Sequence, residues 1–204
     1  MRVINLTHGK GNGIDKACLM TASNMLIGKP EDLDNNSCVC PLLRKFIIIT
    51  NDNMPLKLLR ELYTPLIWEI LGTRNDDPVI LQKRTYCFAD WVVRDICNLD
   101  VTEIVDIKTA LAALAAAHAA AHAAANVANA VYAANYAAYA ANAATNAVAN
   151  AANVANAATN AANAVKVTNN WEKCPEIIRK VAAIGDKRPV EIVLSETELR
   201  ETLV

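Results

Sequence analysis

One stretch limits the possible folds of this chain more than any other. Residues 109–165 contain no glycine, no proline and no charged side chain, and more than half of them are alanine. Alanine is the strongest helix former, whereas glycine and proline are the usual helix breakers. The composition therefore predicts one long helix, which at about 1.5 Å per residue would measure roughly 80 to 100 Å. That length exceeds the width of a compact domain of this size.

The larger residues of this Ala/Asn segment recur at steps of three or four. The mean step is near the heptad value of 3.5, which indicates a stripe that packs against a partner helix in a left-handed supercoil. The sequence NAATNA occupies residues 142–147 and returns at 156–161, two heptads later. We call the following ten residues the association stripe: Tyr132, Tyr136, Tyr139, Asn142, Asn146, Asn150, Asn153, Asn156, Asn160 and Asn163.

The stripe favours self-association over an isolated helix. An alanine side chain buries little area, so at about 25 cal/mol per Å² each of its contacts stabilises the helix only weakly. Asparagine competes with the helical backbone for hydrogen bonds. Stacked copies could instead pair their asparagine amides and close their alanine faces, so we expect a bundle or homo-oligomer. The alternative is a low-complexity linker that is only partly helical. The frequent asparagines argue against a membrane span.

The remainder of the chain predicts a mainly all-α fold with three parts. A helical head domain is expected over residues 1–100, a long helix or repeat array over 101–168, and a small helix–strand–helix segment over 169–204. In the head we predict four helices, at residues 17–27, 41–50, 54–71 and 79–97, which would form one four-helix core. Strands are predicted at 2–6 and 190–194, where they could pair, and a final helix from Ser195 onward.

Charge and cysteine content exclude some classes of function. The 204 residues carry 20 Lys and Arg against 21 Asp and Glu, with no basic run. This balance argues against a nucleic-acid or membrane-surface partner. The N-terminal residues lack the apolar core of a signal peptide, so the six cysteines are expected to be reduced thiols. The expected location is the cytoplasm of a host cell, or a virus particle.

Several short motifs in the head, and the array after it, resemble a family. The chain resembles a group of uncharacterised phage and prophage proteins that have a helical N-terminal region followed by an Ala-rich array of AAxAA-type repeats. The likeness covers residues 14–165, and it implies a viral or prophage origin and a helical array but no activity. In the array, asparagine and tyrosine replace the charged residues and tryptophan that are usual there. The motifs of the head are Ala17-Cys18-Leu19-Met20, Gly28, Pro30, Cys38-Val39-Cys40-Pro41, Asn51-Asp52, Pro65-Leu66-Ile67, Leu71-Gly72-Thr73 and Ala89-Asp90-Trp91-Val92-Val93-Arg94.

Three weaker patterns suggest chemical sites. Gly9, Lys10, Gly11 and Gly13 form a loop between a strand and a helix, which is the setting of many anion sites, although the pattern matches neither a P-loop nor GxGxxG. His118 and His122 lie four residues apart and could share a metal ion, but no third ligand accompanies them.

The cysteines provide the third pattern. Cys18 follows the glycine loop near a helix N-terminus, where a thiolate would be stabilised and His8 could act as a base. Cys38 and Cys40 form CxC rather than CxxC, so buried thiols are the simpler interpretation.

Two functions remain open from the sequence. The first is a structural or interaction protein that self-associates through the Ala/Asn segment. The second is a phage accessory protein that binds a small anionic or nucleotide ligand of the host through Lys10 and the glycine loop. A host protein is a further conceivable partner. We expect no cofactor and no enzymatic activity, because no acid, base and nucleophile converge in the sequence.

Overall fold

A computed structural model shows a mainly α-helical chain. It describes residues 5–9, 11, 16–123, 132, 135–136, 138–140, 142 and 151–193. The chain divides into two compact units, of which unit 1 comprises residues 1–75 and 185–204 and unit 2 comprises residues 76–184. This division differs from the predicted boundaries near residues 100 and 168, because the fourth predicted helix groups with the Ala/Asn segment.

The described residues of unit 1 form a short parallel β pair and three α-helices. β1 (Asn5–Leu6) pairs with β2 (Lys16–Ala17), and α1 (Leu19–Leu26) packs against α2 (Pro41–Asn53). α3 (Leu56–Tyr63) contacts β1. Short 3₁₀ turns lie at Pro30–Asp32 and Thr64–Leu66. The core of unit 1 is formed by buried apolar side chains, the largest being Tyr63, Phe46, Leu6, Leu19, Met20, Leu26, Leu42, Leu43 and Ile47.

Prolines set the helix ends of unit 1. Pro41 begins α2 at the first helical turn, as predicted. α2 continues through the expected break at 51–53 and ends where Met54, which precedes Pro55, becomes extended with ψ 140°. The single helix predicted over 54–71 is wrong, because Pro65 removes a backbone donor and the helix gives way to a 3₁₀ turn at Thr64–Leu66.

The C-terminal part of unit 1 is an extended segment held by backbone contacts. The Arg188 N–H donates to the Gly72 carbonyl at 2.8 Å, and the Val193 N–H donates to the Leu26 carbonyl at 2.8 Å. The predicted strand at 190–194 is not observed in its described part, residues 190–193, and β1 pairs with β2 instead of with this segment. The predicted final helix from Ser195 lies outside the described residues.

Unit 2 contains α4 (Pro78–Trp91), α5 (Ile107–Ala123), α6 (Ala151–Thr168) and α7 (Cys174–Ala182). A π-helical turn, Val92–Ile96, extends α4, so the two together cover the predicted helix at 79–97. A 3₁₀ turn at Trp171–Lys173 precedes α7. α4 is the centre of this unit, because α5, α6 and α7 all contact it.

The ends of the unit 2 helices follow local sequence signals. The Asp106 carboxylate accepts the Thr109 N–H at 2.8 Å, and the Thr109 hydroxyl accepts the Asp106 N–H at 3.1 Å. This reciprocal pair caps α5, and the Thr109 backbone bond holds the pKa of Asp106 below its usual value. α6 ends where Asn169 adopts the left-handed conformation with φ 57°, at the predicted break.

The described parts of the predicted long helix are mainly α5 and α6, and residues 124–131 and 143–150 lie outside the described residues. α5 and α6 both contact α4, whose 14 residues make a helix only about 21 Å long. A straight helix would place the two ends of the Ala/Asn segment more than about 60 Å apart, too far for both to reach α4. The two described ends of the Ala/Asn segment therefore lie closer together than in a straight helix, and each end buries an alanine face.

Replacing Gly72 with alanine tests the attachment of the C-terminal segment. Gly72 has φ +72°, and a Cβ there would collide with the Arg188 carbonyl oxygen. We expect Gly72→Ala to lower the free energy of unfolding by about 2–4 kcal/mol, from backbone strain plus the lost Arg188 contact. The measurement is urea unfolding followed by circular dichroism.

Gly9→Ala is the matched control for that substitution. Gly9 also has a positive φ, of +70°, but a Cβ would meet nothing within 4 Å. We expect Gly9→Ala to lower the free energy of unfolding by the backbone strain alone, about 1 kcal/mol. Equal losses of unfolding free energy in the two variants would show that the Arg188 contact contributes nothing to stability.

Enlarging a buried alanine tests the packing of α6. Ala161 is fully buried, so Ala161→Leu should overpack the unit and lower the free energy of unfolding by about 1–3 kcal/mol. Ala115→Leu places the same side chain at an exposed position of α5 and should change stability by less than about 0.5 kcal/mol. If the two variants melt alike, the alanine face of α6 is not part of a packed core.

Candidate functional site

The alanine face and the association stripe lie on opposite sides of α6. The buried positions of its described side chains are mainly alanines, whereas Asn156 is exposed and Asn160 and Asn163 are half-buried. At 3.6 residues per turn, Asn156, Asn160 and Asn163 share one helix face. The buried set on the other face is Ala157, Ala158, Ala161, Ala162, Ala164 and Val165.

α5 divides its surface in the same way. Ala110, Ala113 and Ala117 are buried, whereas the larger Leu111 and His118 are exposed. The buried side chains described in this helix are all alanines, although other alanines, Ala112, Ala115 and Ala119, are exposed and Leu114 is half-buried. That pattern is the reverse of an ordinary amphipathic helix, in which the bulky apolar side chains are buried.

Two tyrosines are exposed among the described residues of the stripe. Tyr132 and Tyr139 are exposed by 56% and 55%, and Asn142 is also exposed, whereas Tyr136 is half-buried. Asn146 and Asn150 lie outside the described residues, as does the side chain of Asn153. The described stripe residues therefore form an uncharged surface of aromatic rings and amides.

The glycine loop is arranged unlike an anion site in its described part. The Gly9 N–H donates to the Asp52 carboxylate at 2.7 Å, so this donor is already used. Gly9 also lines a cavity of about 230 Å³ together with Cys18, Asp34, Ile48 and Asp52. Two carboxylates at this cavity disfavour an anion. Gly11 forms an isolated bridge with Ala17, and Lys10 and Gly13 lie outside the described residues.

Cys18 does not act as the activated thiol that its position suggested. Its Sγ accepts the Thr21 N–H at 3.3 Å and so caps α1, but burial raises the pKa of the thiol. The expected thiolate stabilisation is thus outweighed by desolvation. The His8 Nε2 is bonded to the Met54 carbonyl oxygen at 2.7 Å, not to the thiol, so no Cys–His pair forms there.

The metal candidates do not converge among the described residues. His118 is exposed, and the side chain of His122 is outside the described ones. In the described part of the chain, no group of three or more His, Cys, Asp or Glu is placed so that it could hold a metal ion. The CxC motif is fixed by its backbone. The Asn36 side chain accepts the Cys38 N–H, and Thr73 Oγ1 accepts the Cys40 N–H. Cys40 is buried as a free thiol.

A second cavity lies within unit 2 and was missed from the sequence. It measures about 420 Å³ and is lined by α4, α7 and the segment 103–105. The α4 residues that line it are Lys83, Tyr86, Cys87 and Asp90, which follow the helical spacing of three and four. The spacing of these four residues was visible in the sequence and could have indicated the cavity wall. From the sequence, however, their helix belonged to the predicted head domain and was not placed beside α7.

None of the described helices is both long and apolar enough to span a membrane. Comparison with protein-family models, curated proteins and solved structures returned no match.

Cys87 and Cys97 provide a test of the unit 2 interior. Burial raises the pKa of Cys87 to about 11 and that of Cys97 to about 12. Only the thiolate is nucleophilic, so both should react with iodoacetamide at pH 8 at least tenfold more slowly than a free thiol. The rate should then rise by about tenfold per pH unit toward the pKa. Peptide mass spectrometry reads each site, and the urea-unfolded protein is the control in which all six cysteines should react alike.

Proposed function

We propose that this chain is a structural or interaction protein that self-associates through the association stripe into a bundle, oligomer or filament. The observation that carries the proposal is the division of the helix surfaces. α5 and α6 each bury a set of alanines within the chain, whereas Leu111, Tyr132, Tyr139, Asn142 and Asn156 are exposed. Exposed aromatic surface of this kind is typical of interaction sites.

A second copy of the chain is the partner that best fits this surface. The Ala/Asn segment carries no charge, so it does not select an oppositely charged partner. An asparagine amide both donates and accepts hydrogen bonds, which makes a row of amides complementary to an identical row. A two-fold interface brings the same surface of both subunits together, and it suits a self-complementary stripe.

The origin and the alternative function have less support. A phage or prophage origin rests on the resemblance over residues 14–165. The alternative, an anionic or nucleotide ligand at the glycine loop, is disfavoured by Asp34 and Asp52 beside Gly9. For enzymatic activity, the described geometry offers no paired nucleophile and base at Cys18 and His8.

Charged substitutions in the stripe test self-association. Tyr139 and Asn156 are exposed, so the double variant Tyr139→Lys, Asn156→Lys should fold normally while placing like charges in the interface. We expect light scattering over a concentration series to show an oligomer for the wild type and a shift of at least tenfold toward monomer in the variant.

The control places the same two charges away from the larger residues of the helix. Ala112 and Ala119 of α5 are exposed and lie about 100° around the helix from Leu111 and His118 respectively. Ala112→Lys, Ala119→Lys should leave the oligomer intact. A wild-type protein that is monomeric at every concentration, or an oligomer that resists the stripe variant, would refute the proposal.

A further inference from the structure

We propose that the unit 2 cavity binds a small zwitterion with an apolar body, namely an α-amino acid with an aliphatic or aromatic side chain. This cavity is independent of the association stripe. Its volume of about 420 Å³ lies at the small end of the range of ligand pockets, about 300–1,000 Å³. That size suits a metabolite of about ten heavy atoms rather than a nucleotide.

Two oppositely charged side chains at the cavity form no ion pair among the described residues. Lys83 of α4 and Glu103 both line the cavity and are exposed, and neither has an ion pair within the described part of the chain. A ligand carboxylate would neutralise Lys83, and a ligand ammonium would neutralise Glu103. A zwitterion satisfies both side chains at once, whereas an anion or a cation alone would leave one of them facing a like charge.

The other two charged residues of the cavity already have partners. Lys180 Nζ pairs with the Glu176 carboxylate at 2.7 Å. The Asp90 carboxylate accepts the Ile104 N–H at 2.9 Å and pairs with Arg94 at 3.4 Å. These contacts fix the walls of the cavity, since the Asp90 bond ties the segment 103–105 to α4. Lys83 and Glu103 therefore remain as the recognition pair.

The interior of the cavity is suited to an apolar side chain. Val105 is 60% exposed, and with Ile184 it contributes hydrocarbon surface to the cavity. Ile104 and Tyr86 also line the cavity but are almost fully buried, and the Tyr86 hydroxyl already accepts the Gln82 amide at 2.8 Å. The Cys87 thiol at the cavity is neutral at physiological pH because burial raises its pKa to about 11. An apolar group can therefore enter without leaving a buried charge unpaired.

Calorimetric titration with L-leucine tests the site on the full-length protein. Two analogues separate the charges: 4-methylpentanoate lacks the ammonium group, and 3-methylbutylamine lacks the carboxylate. We expect saturable binding of L-leucine and at least tenfold weaker binding of each analogue. L-phenylalanine and L-alanine probe the interior, and L-alanine should bind more weakly than L-leucine because it buries less apolar area.

Single substitutions assign the two contacts. Lys83→Met and Glu103→Gln should each weaken L-leucine binding at least tenfold, and Glu103→Gln should also remove the preference for L-leucine over 4-methylpentanoate. Lys166→Met and Glu172→Gln change exposed residues of unit 2 that do not line the cavity, so they should bind as the wild type does. Thermal melting confirms that each variant is folded.

Either of two results would overturn the proposal. The first is the absence of saturable binding of L-leucine and L-phenylalanine to the folded wild type at millimolar concentration. The second is binding that Lys83→Met and Glu103→Gln leave unchanged, because a ligand that ignores both charges is not held by this site. Neither result depends on whether the protein self-associates.

Discussion

Unit 2 depends on the packing of alanine faces against its central helix. α5 and α6 contribute buried alanines, and both contact α4. Because an alanine side chain is a single methyl group, the helix axes can approach closely and many weak dispersion contacts add up. The same packing loses little side-chain entropy, since alanine has no rotamers to fix. A segment without large apolar residues on its inner face can therefore still form a core.

This packing determines what remains on the surface. With these alanines buried, Leu111 of α5 and Asn156 of α6 are exposed, and so are Tyr132 and Tyr139, which lie between the two helices in the sequence. Lysines and glutamates usually cover such a face and keep it soluble, but residues 109–165 contain none. The exposed residues described here are thus uncharged rings and amides. The proposed self-association rests on this absence of charge as much as on the presence of tyrosine.

The helical character of the chain could be predicted from the sequence, because local signals act at short range. Pro41 marked the start of α2, and Asn169 fell at the predicted end of α6. Pro65 was equally visible and should have ended the helix predicted over 54–71. The contact of both α5 and α6 with α4 could not be read from the sequence, because alanine suits a free helix and a buried one equally well.

For the candidate sites, too, the local pattern was visible in the sequence, whereas the burial and the packing partners were not. The stripe was visible as a spacing, but which helix face is buried depends on α4, a partner distant in the sequence. Cys18 was correctly placed near a helix start, yet its pKa is set by burial, which neighbouring residues do not reveal. The cavity of Lys83 and Glu103 requires α4 and α7 to lie side by side. No local pattern indicates that pairing.

The distance between α5 and α6 tests the central claim most directly. Spin labels carried by unnatural amino acids at Ala112 and Asn156, both exposed, can be measured by pulsed electron paramagnetic resonance in a sample diluted with unlabelled protein. Since both helices contact α4, we predict a separation below about 45 Å, from the length of α4 and two helix-packing distances. A separation near 66 Å, the value for about 44 residues of straight helix, would contradict the packing of α5 and α6 against one helix, and the alanine core with it.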